Sequence, residues 1–311
     1  MGAAIVPAEM TAPGVRRTSA GVPGLQQGPA RVAFIGPATW LEVCAPPAPT
    51  DELVPLLIAH DPAAGVPATL ARLADFAPSV TVVLDPPNVD AELLQAIEGV
   101  SLGVLVGALP APEQARALGA LDRVLSFRPA LTGARLAGKS VWRAIPPPVS
   151  DAFFGSVRPL HGAARVMTIG RPTPHREAAL IDAKHHHDVL TLHHGVGGAL
   201  LREFLCSYDV GVYVAPARGG GYGAQVGMHL AAGQLLLSET LVPAHGLERD
   251  IDYLQIRVES DLVAVLDRLN RFPEMYQRIR VRGRLKAEQY RSSRLFGRLA
   301  HDVLADVATF G

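Results

Sequence analysis

Short apolar runs alternate with stretches of helical spacing along the chain, from Arg31 to about Val258. Each apolar run has the length of a buried strand, about five residues, and one helix separates it from the next. Strands that alternate with single helices form βαβ units, and βαβ units build parallel sheets. The alternation therefore predicts an α/β fold.

The predicted elements of the first half fall into one continuous array. Six strands are predicted from RVAFIG, LVPLLIAH, SVTVVLDP, SLGVLVGAL, DRVLSF and SVWRAIP. Helices are predicted between them, over residues 68–76, 91–97, 112–118 and 130–136.

Three consecutive prolines, Pro146 to Pro148, then break the periodicity, and a second array begins at ARVMTIG. It continues with a helix over 177–184, DVLTLHHG, a helix over 198–206, DVGVYVAP, QLLLSE and DYLQIRV. We therefore predict two domains, residues 31–149 and 150–311. Residues 1–30 contain five Gly and four Pro and are predicted to be a disordered tail. The last helix carries one apolar stripe formed by Phe296, Leu299, Ala300, Val303, Leu304 and Val307.

Composition excludes several classes of function. The formal net charge is zero and aromatic residues are 5% of the chain, which disfavours nucleic-acid binding. The two cysteines, Cys44 and Cys206, form no CxxC motif, so neither a disulfide framework nor a thiolate zinc site is indicated. No apolar run reaches the ~20 residues of a membrane-spanning helix. A cytoplasmic protein is expected.

The stretch PARGGGYGAQVG lies between a predicted strand and a predicted helix, where backbone amides bind phosphate. It is not a Walker A loop, because Ala224 to Val226 stand where Lys and Ser or Thr are required. No GxGxxG pattern can be completed either, which argues against a dinucleotide-dependent oxidoreductase. The candidate loop residues are Gly219, Gly220, Gly221, Tyr222 and Gly223. A diphosphate held by backbone amides is one interpretation, and a flexible connector is the other.

Two arginines, Arg171 and Arg176, follow the predicted strand VMTIG. The carboxyl ends of parallel strands are where α/β sheets bind ligands. Because the glycine loop follows a strand of the same array, amides and guanidinium groups are expected at one edge. Together they would clamp a diphosphate.

The second array contains, in order, the segments VMTIGR, a further Arg, LHHGV, DVGVYVAP, the glycine loop, HLAAGQLLLSE and GLERDIDYL. In the order of these segments it resembles the donor domain of GT-B glycosyltransferases, and most of all that of the CgeB-like spore-maturation group. The resemblance covers about residues 165–306. It implies two Rossmann-like domains facing a cleft, a nucleotide-sugar in the second domain and a last helix that crosses back to the first. It also implies that Arg171, Arg176 and Gly219 to Gly223 bind the donor diphosphate without a metal.

This sequence departs from the family pattern at one position. Relatives commonly place an acid five residues before the glycine of A-x-G, where this chain has Met228. Met228 is therefore a candidate donor contact that lacks the carboxylate, and Glu239, at the end of LLLSE, is a candidate replacement. His194 ends a strand at the ligand edge, and His60, with Asp61 beside it, is a candidate acceptor-side base.

The histidine-rich stretch AKHHHDVLTLHHG lacks the spacing of metal ligands, so no metal site and no cofactor is expected. Residues 271–298 include nine Lys or Arg, which favours a solvated face over a peripheral membrane contact. The expected function is sugar transfer, of the hexosyltransferase type, from a nucleotide-sugar to an unknown acceptor. The alternative is a catalytically silent GT-B protein that binds or scaffolds, because the family acid is missing.

Overall fold

The structure is a computed structural model of the 311-residue chain. It describes residues 28–310 except 64, 108, 109, 137, 161, 194, 195 and 220. Most of the expected tail, residues 1–27, lies outside this range.

The first sheet has seven strands in the order β2-β1-β3-β4-β5-β7-β6. All neighbours pair in parallel except β6 and β7, which form an antiparallel edge. The strands are β1 (Ala30–Gly36), β2 (Leu53–Ala59), β3 (Val80–Leu84), β4 (Val100–Leu105), β5 (Arg123–Ser126), β6 (Arg135–Leu136) and β7 (Lys139–Ala144). The helices between them are α1 (Ala38–Cys44), α2 (Val66–Phe76), α3 (Ala91–Ala96) and α4 (Pro112–Leu118).

The helix predicted over residues 130–136 is wrong. A single 3₁₀ turn, Pro129–Leu131, ends at Thr132, and Gly133 follows with a φ of 80°. That left-handed conformation ends helical hydrogen bonding and suits glycine. Arg135 and Leu136 then pair with Ser140 and Lys139 in a short hairpin, so the tertiary strand pairing overrides the local apolar spacing.

The second sheet is parallel throughout, in the order β12-β11-β10-β8-β9. Its strands are β8 (Val166–Ile169), β9 (Val189–Leu192), β10 (Val210–Tyr213), β11 (Leu235–Ser238) and β12 (Leu254–Gln255). Its helices are α5 (Pro174–His186), α6 (Gly198–Ser207), α7 (Ala224–Ala231), α8 (Val258–Arg271) and α9 (Glu274–Ala287). The expected division at residue 149 falls between the two sheets.

The last helix, α10 (Ser292–Phe310), crosses back to the first sheet, as expected. Its buried side chains Phe296, Leu299, Ala300 and Val303 belong to the core on one face of that sheet. Phe296 meets Phe34 of β1 edge to face, with ring centroids 4.9 Å apart. Each large apolar side chain buried in this way stabilises the fold by about 1.5 to 3 kcal/mol.

Two segments that join the halves of the protein run side by side where α10 begins. Val149 N–H donates to Tyr290 O (2.8 Å), and Ser292 N–H donates to Val149 O (2.9 Å). The Asp151 carboxylate accepts from both hydroxyls and one amide of Ser292 and Ser293, at 2.7 to 3.1 Å. Asp151 therefore caps the crossing helix from the other segment.

Candidate functional site

Four of the predicted site segments meet at the carboxyl edge of the second sheet. Arg171 follows β8, and the glycine loop 216–223 joins β10 to α7. Glu239 follows β11, the neighbour of β10. Arg176 lies in the first turn of α5. Because the strands are parallel, their carboxyl ends place these residues together.

The Arg176 side chain is not open to solvent; it links backbone segments at the edge of the sheet. Its side chain is buried, Nε donates to Val214 O (2.8 Å), and Nη1 donates to Arg171 O (2.9 Å). Gly170 has a φ of 137°, which favours glycine, and a β-carbon there would displace this guanidinium. Burial lowers the pKa of Arg176, while the nearby Tyr213 and Glu239 raise it. Arg171 itself is exposed and presents its charge at the same edge.

The glycine loop accepts a hydrogen bond from β10 and packs closely against the backbone of Val242. Tyr213 Oη donates to Gly221 O (2.7 Å), and burial raises the pKa of this phenol to about 12, so it stays a donor. A side chain at Gly221 would reach the carbonyl oxygen of Val242 at 2.5 Å, and one at Gly223 would collide with Tyr213. Gly219 has a φ of 72°. These contacts argue against the interpretation of the loop as a flexible connector. Gly220 lies outside the described residues.

Tyr222 turns from the loop into the protein. Its ring packs edge-on against His245 (centroids 4.8 Å apart) and lies 6.1 Å from the ring of Tyr290. Burial raises the pKa of its hydroxyl well above 10. Tyr222 therefore anchors the loop to the segment that leads into α10.

Glu239 is paired with a residue that the sequence did not indicate. Its Oε1 lies 2.8 Å from His175 Nε2, and its Oε2 accepts from Ala215 N–H at 2.9 Å. The two side chains are 22% and 15% exposed, so the pair is partly accessible at the edge. The only sequence signal for His175 is its position beside Arg176. The pair holds the exit of β10 against the start of α5.

Met228 does not face this edge. It is 3% exposed and lies in the core formed with Val149, Phe153 and Tyr290, because α7 is buried from Val226 to Ala231. The prediction that its thioether meets donor hydroxyls is corrected by this burial. An acid anywhere from Val226 to Ala231 would therefore be buried in the core.

His60 directly follows β2 at the carboxyl edge of the first sheet, where the sequence placed it. Its partner is not Asp61, whose carboxylate accepts from Ala63 N–H (2.9 Å), but Asp90, whose Oδ2 lies 3.7 Å from His60 Nε2. His194 lies outside the described residues. In the part of the chain that is described, no three His, Cys, Asp or Glu side chains are placed to hold a metal ion.

His229 lies in the last turn of α7 and is fully buried, with Nδ1 2.6 Å from Gln234 Oε1. Burial lowers its pKa from 6.5 to about 4. The imidazole of His229 binds a proton more readily in the unfolded chain than in the folded protein. The free energy of unfolding is therefore unaffected by this group above pH 6.5 and falls as the pH drops toward 4. We expect a loss of about 3 kcal/mol over this interval.

Urea unfolding at pH 7, 6, 5 and 4 measures this loss. His229→Gln, whose amide can still meet Gln234, is expected to flatten the pH dependence, whereas His301→Gln on the exposed face of α10 is expected to leave it unchanged. Glu288 affects the stability only at lower pH, because its hydrogen bonds with Arg291 and Arg284 hold its pKa at about 2. An unaltered slope in His229→Gln would contradict the assignment.

A cavity of about 780 Å³ lies between the two halves of the protein, and its described lining includes neither Arg171, Glu239 nor the glycine loop. One wall comes from α1 and β2, the other from α6, and the linker at Ser150, Ala152 and Phe153 closes the base. The two walls touch where Glu42 of α1 accepts from Gly198 N–H of α6 (3.0 Å).

No protein-family model and no curated protein sequence matches the chain. Solved structures do match it. A glycosyltransferase from Rickettsia africae ESF-5 superposes with a TM-score of 0.55 at 9% identity, over 91% of this chain and all of that one. The sucrose-phosphate synthase of Thermosynechococcus elongatus gives 0.55 at 11% identity, over 89% of this chain and 99% of that one.

HepE of Anabaena, solved in complex with UDP-glucose, gives a TM-score of 0.53 at 10% identity, over 89% of this chain and all of that one. The fold is GT-B. Two parallel-sheet domains and a returning last helix are the architecture that the sequence resemblance implied. At these identities the likeness establishes the fold and leaves activity to the residues themselves.

None of the helices in the described part of the chain is long and apolar enough to span a bilayer.

Proposed function

We propose that this protein is a glycosyltransferase that transfers a sugar from a nucleotide-sugar to an acceptor bound in the cleft. The observation that carries the proposal is the meeting of Arg171, Arg176 and the fastened glycine loop at one sheet edge. A diphosphate needs cations and amides there, and both are present. HepE, which shares the fold, has been solved with UDP and with UDP-glucose.

The chemistry follows from charge. Departure of a nucleoside diphosphate leaves negative charge on the phosphate oxygens, and donors already in place stabilise it without reorganisation. Arg171 is exposed at the edge and supplies charge, while Arg176 keeps the loop in position. We propose that no metal is needed.

On the acceptor side, we propose His60 as the base that removes the acceptor proton, with Asp90 orienting its ring. The Glu239–His175 pair lies beside the glycine loop, where Glu239 is the candidate contact for sugar or ribose hydroxyls. Membership of the CgeB-like group, a cytoplasmic location and a membrane contact through residues 271–298 remain predictions.

The second candidate function is a catalytically silent GT-B protein. The burial of Met228 favours it, because the position where relatives carry an acid contributes only to the core. The two functions differ in turnover. Release of nucleoside diphosphate from a bound nucleotide-sugar supports the enzyme, and binding without release supports the silent protein.

A thermal-shift screen with UDP, GDP, ADP and TDP and their sugars identifies the nucleotide. A ligand at 100 times its Kd stabilises the folded state by about 2.7 kcal/mol. No shift with any of them would contradict donor binding.

Arg171→Ala is expected to weaken binding of the nucleoside diphosphate identified by that screen by roughly 10-fold to 100-fold, since a charge-assisted hydrogen bond contributes about 1.5 to 3 kcal/mol. Isothermal titration calorimetry measures the change. Arg278→Ala removes an exposed arginine of α9 and serves as the matched control, with unchanged affinity expected. Equal affinities in the two variants would overturn the role of Arg171.

A further inference from the structure

The cavity between the two halves of the protein differs in chemistry from the donor edge. Alanines from both walls, Ala38, Ala45 and Ala59 on one side and Ala199 on the other, leave the space open. Larger apolar side chains, Leu41, Leu57 and Phe153, also line it. Small and apolar groups thus make up most of its surface.

The charged side chains of the cavity are exposed or already engaged, and Ser150 and Cys206 add one hydroxyl and one thiol to the lining. Glu42 accepts the amide proton of Gly198, so its carboxylate spans the walls instead of pointing to an empty interior. Arg202 and Glu203 lie one after the other on α6 and are exposed. A ligand in the cavity therefore meets apolar groups inside and charged groups at the rim.

The size and position of the cavity restrict the occupant further. A volume of about 780 Å³ is in the range of pockets that take drug-sized molecules. Gly198, at the start of α6, follows β9, and β9 pairs with β8, whose end carries Arg171. The cavity therefore adjoins the donor edge.

We propose that this cavity binds the acceptor, and that the acceptor is a small molecule with an uncharged, apolar body. The inference rests on the proposed glycosyltransferase function. A sugar acceptor would leave most of its hydroxyls without partners against this lining, which costs binding energy. An aromatic or aliphatic body would gain from burial of its apolar surface.

Fluorescence titration with N-phenyl-1-naphthylamine, an uncharged apolar probe, tests the cavity directly. The wild-type protein is expected to bind one probe molecule with a saturable rise in emission. Ala199→Trp and Ala59→Trp fill the cavity from opposite walls and are each expected to weaken binding at least tenfold. Ala305→Trp, on the exposed face of α10, is the matched control and is expected to bind as the wild type does.

A parallel calorimetric titration with the nucleoside diphosphate separates this inference from the function on which it rests. Absence of probe binding, or equal binding by Ala199→Trp and Ala305→Trp, overturns the apolar pocket whatever the nucleotide does. Displacement of the probe by methyl α-glucoside also overturns the apolar class. Probe binding lost in both cavity variants, with no nucleotide binding in any protein, supports the pocket and refutes the glycosyltransferase.

Discussion

Met228→Glu is expected to lower the free energy of unfolding by about 4 kcal/mol or more. The side chain is 3% exposed and belongs to the same apolar core as Val149, Phe153 and Tyr290. A carboxylate there loses its water without gaining a charged partner, and the packing of the methionine is lost as well. The same change would create the acid that the resemblance to GT-B glycosyltransferases implies at this position.

Urea unfolding and calorimetric titration with the nucleotide-sugar show whether Met228 packs in the core or contacts the donor. Met228→Leu conserves volume and should cost less than about 1.5 kcal/mol. Gln225→Glu places an acid in the accessible first turn of the same helix, where the macrodipole favours it.

The destabilisation of Met228→Glu relative to wild type should shrink as the pH falls. Burial raises the pKa of the new carboxyl above its unfolded value, so protonation relieves the penalty at low pH. A retained melting temperature together with tighter donor binding would show that position 228 faces the donor after all.

The alternation of apolar runs and helical spacing was sufficient to predict both sheets, because it reflects local periodicity. It failed over residues 130–136, where Gly133 and the hairpin with β7 decide the structure. The apolar stripe on the last helix was predicted correctly. That this helix crosses back to the first domain was implied only by the resemblance, and its contact with Phe34 was not predicted.

The candidate site was predicted in part. Strand ends placed Arg171, Arg176 and the glycine loop together, since parallel strands share an edge. The sequence could not show that Arg176 donates to Val214 O, or that Glu239 pairs with His175, 64 residues away. Such contacts depend on tertiary packing. Met228 was misplaced because helical spacing alone does not reveal that α7 is covered on nearly every side.

In the arginine-rich segment, residues 271–298, the sequence likewise did not reveal the tertiary contacts. Its composition predicted a solvated face, yet three of its arginines hold distant parts of the chain together. Arg284 Nε donates to Gly155 O (2.6 Å), and Arg291 contacts Asp151 (3.2 Å). Arg280 is the most deeply placed of the three, at 1% exposed. Charge in this segment therefore serves packing as well as solvation.

Arg280 connects α9 to two backbone carbonyl groups. Among the hydrogen bonds of the described residues, no other side chain donates to either carbonyl. Nη1 donates to Arg158 O (2.8 Å), in the segment before β8, and Nη2 donates to Gly233 O (3.2 Å), in the turn between α7 and β11. Burial lowers the pKa of this guanidinium, and the Asp209 carboxylate raises it. The turn that follows the glycine-loop helix is therefore fixed by a charge from α9.

Arg280→Ala is expected to lower the free energy of unfolding by about 3 to 5 kcal/mol, because it opens a cavity and leaves both carbonyls without this donor. Arg278→Ala, two residues earlier on the exposed face of α9, should change it by less than about 0.5 kcal/mol. Arg280→Lys retains the charge but not the fork of donors, so an intermediate loss is expected. Urea unfolding of the three variants measures these differences. Equal stabilities of Arg280→Ala and Arg278→Ala would show that the buried guanidinium contributes nothing net, the result expected if its desolvation cancels its hydrogen bonds.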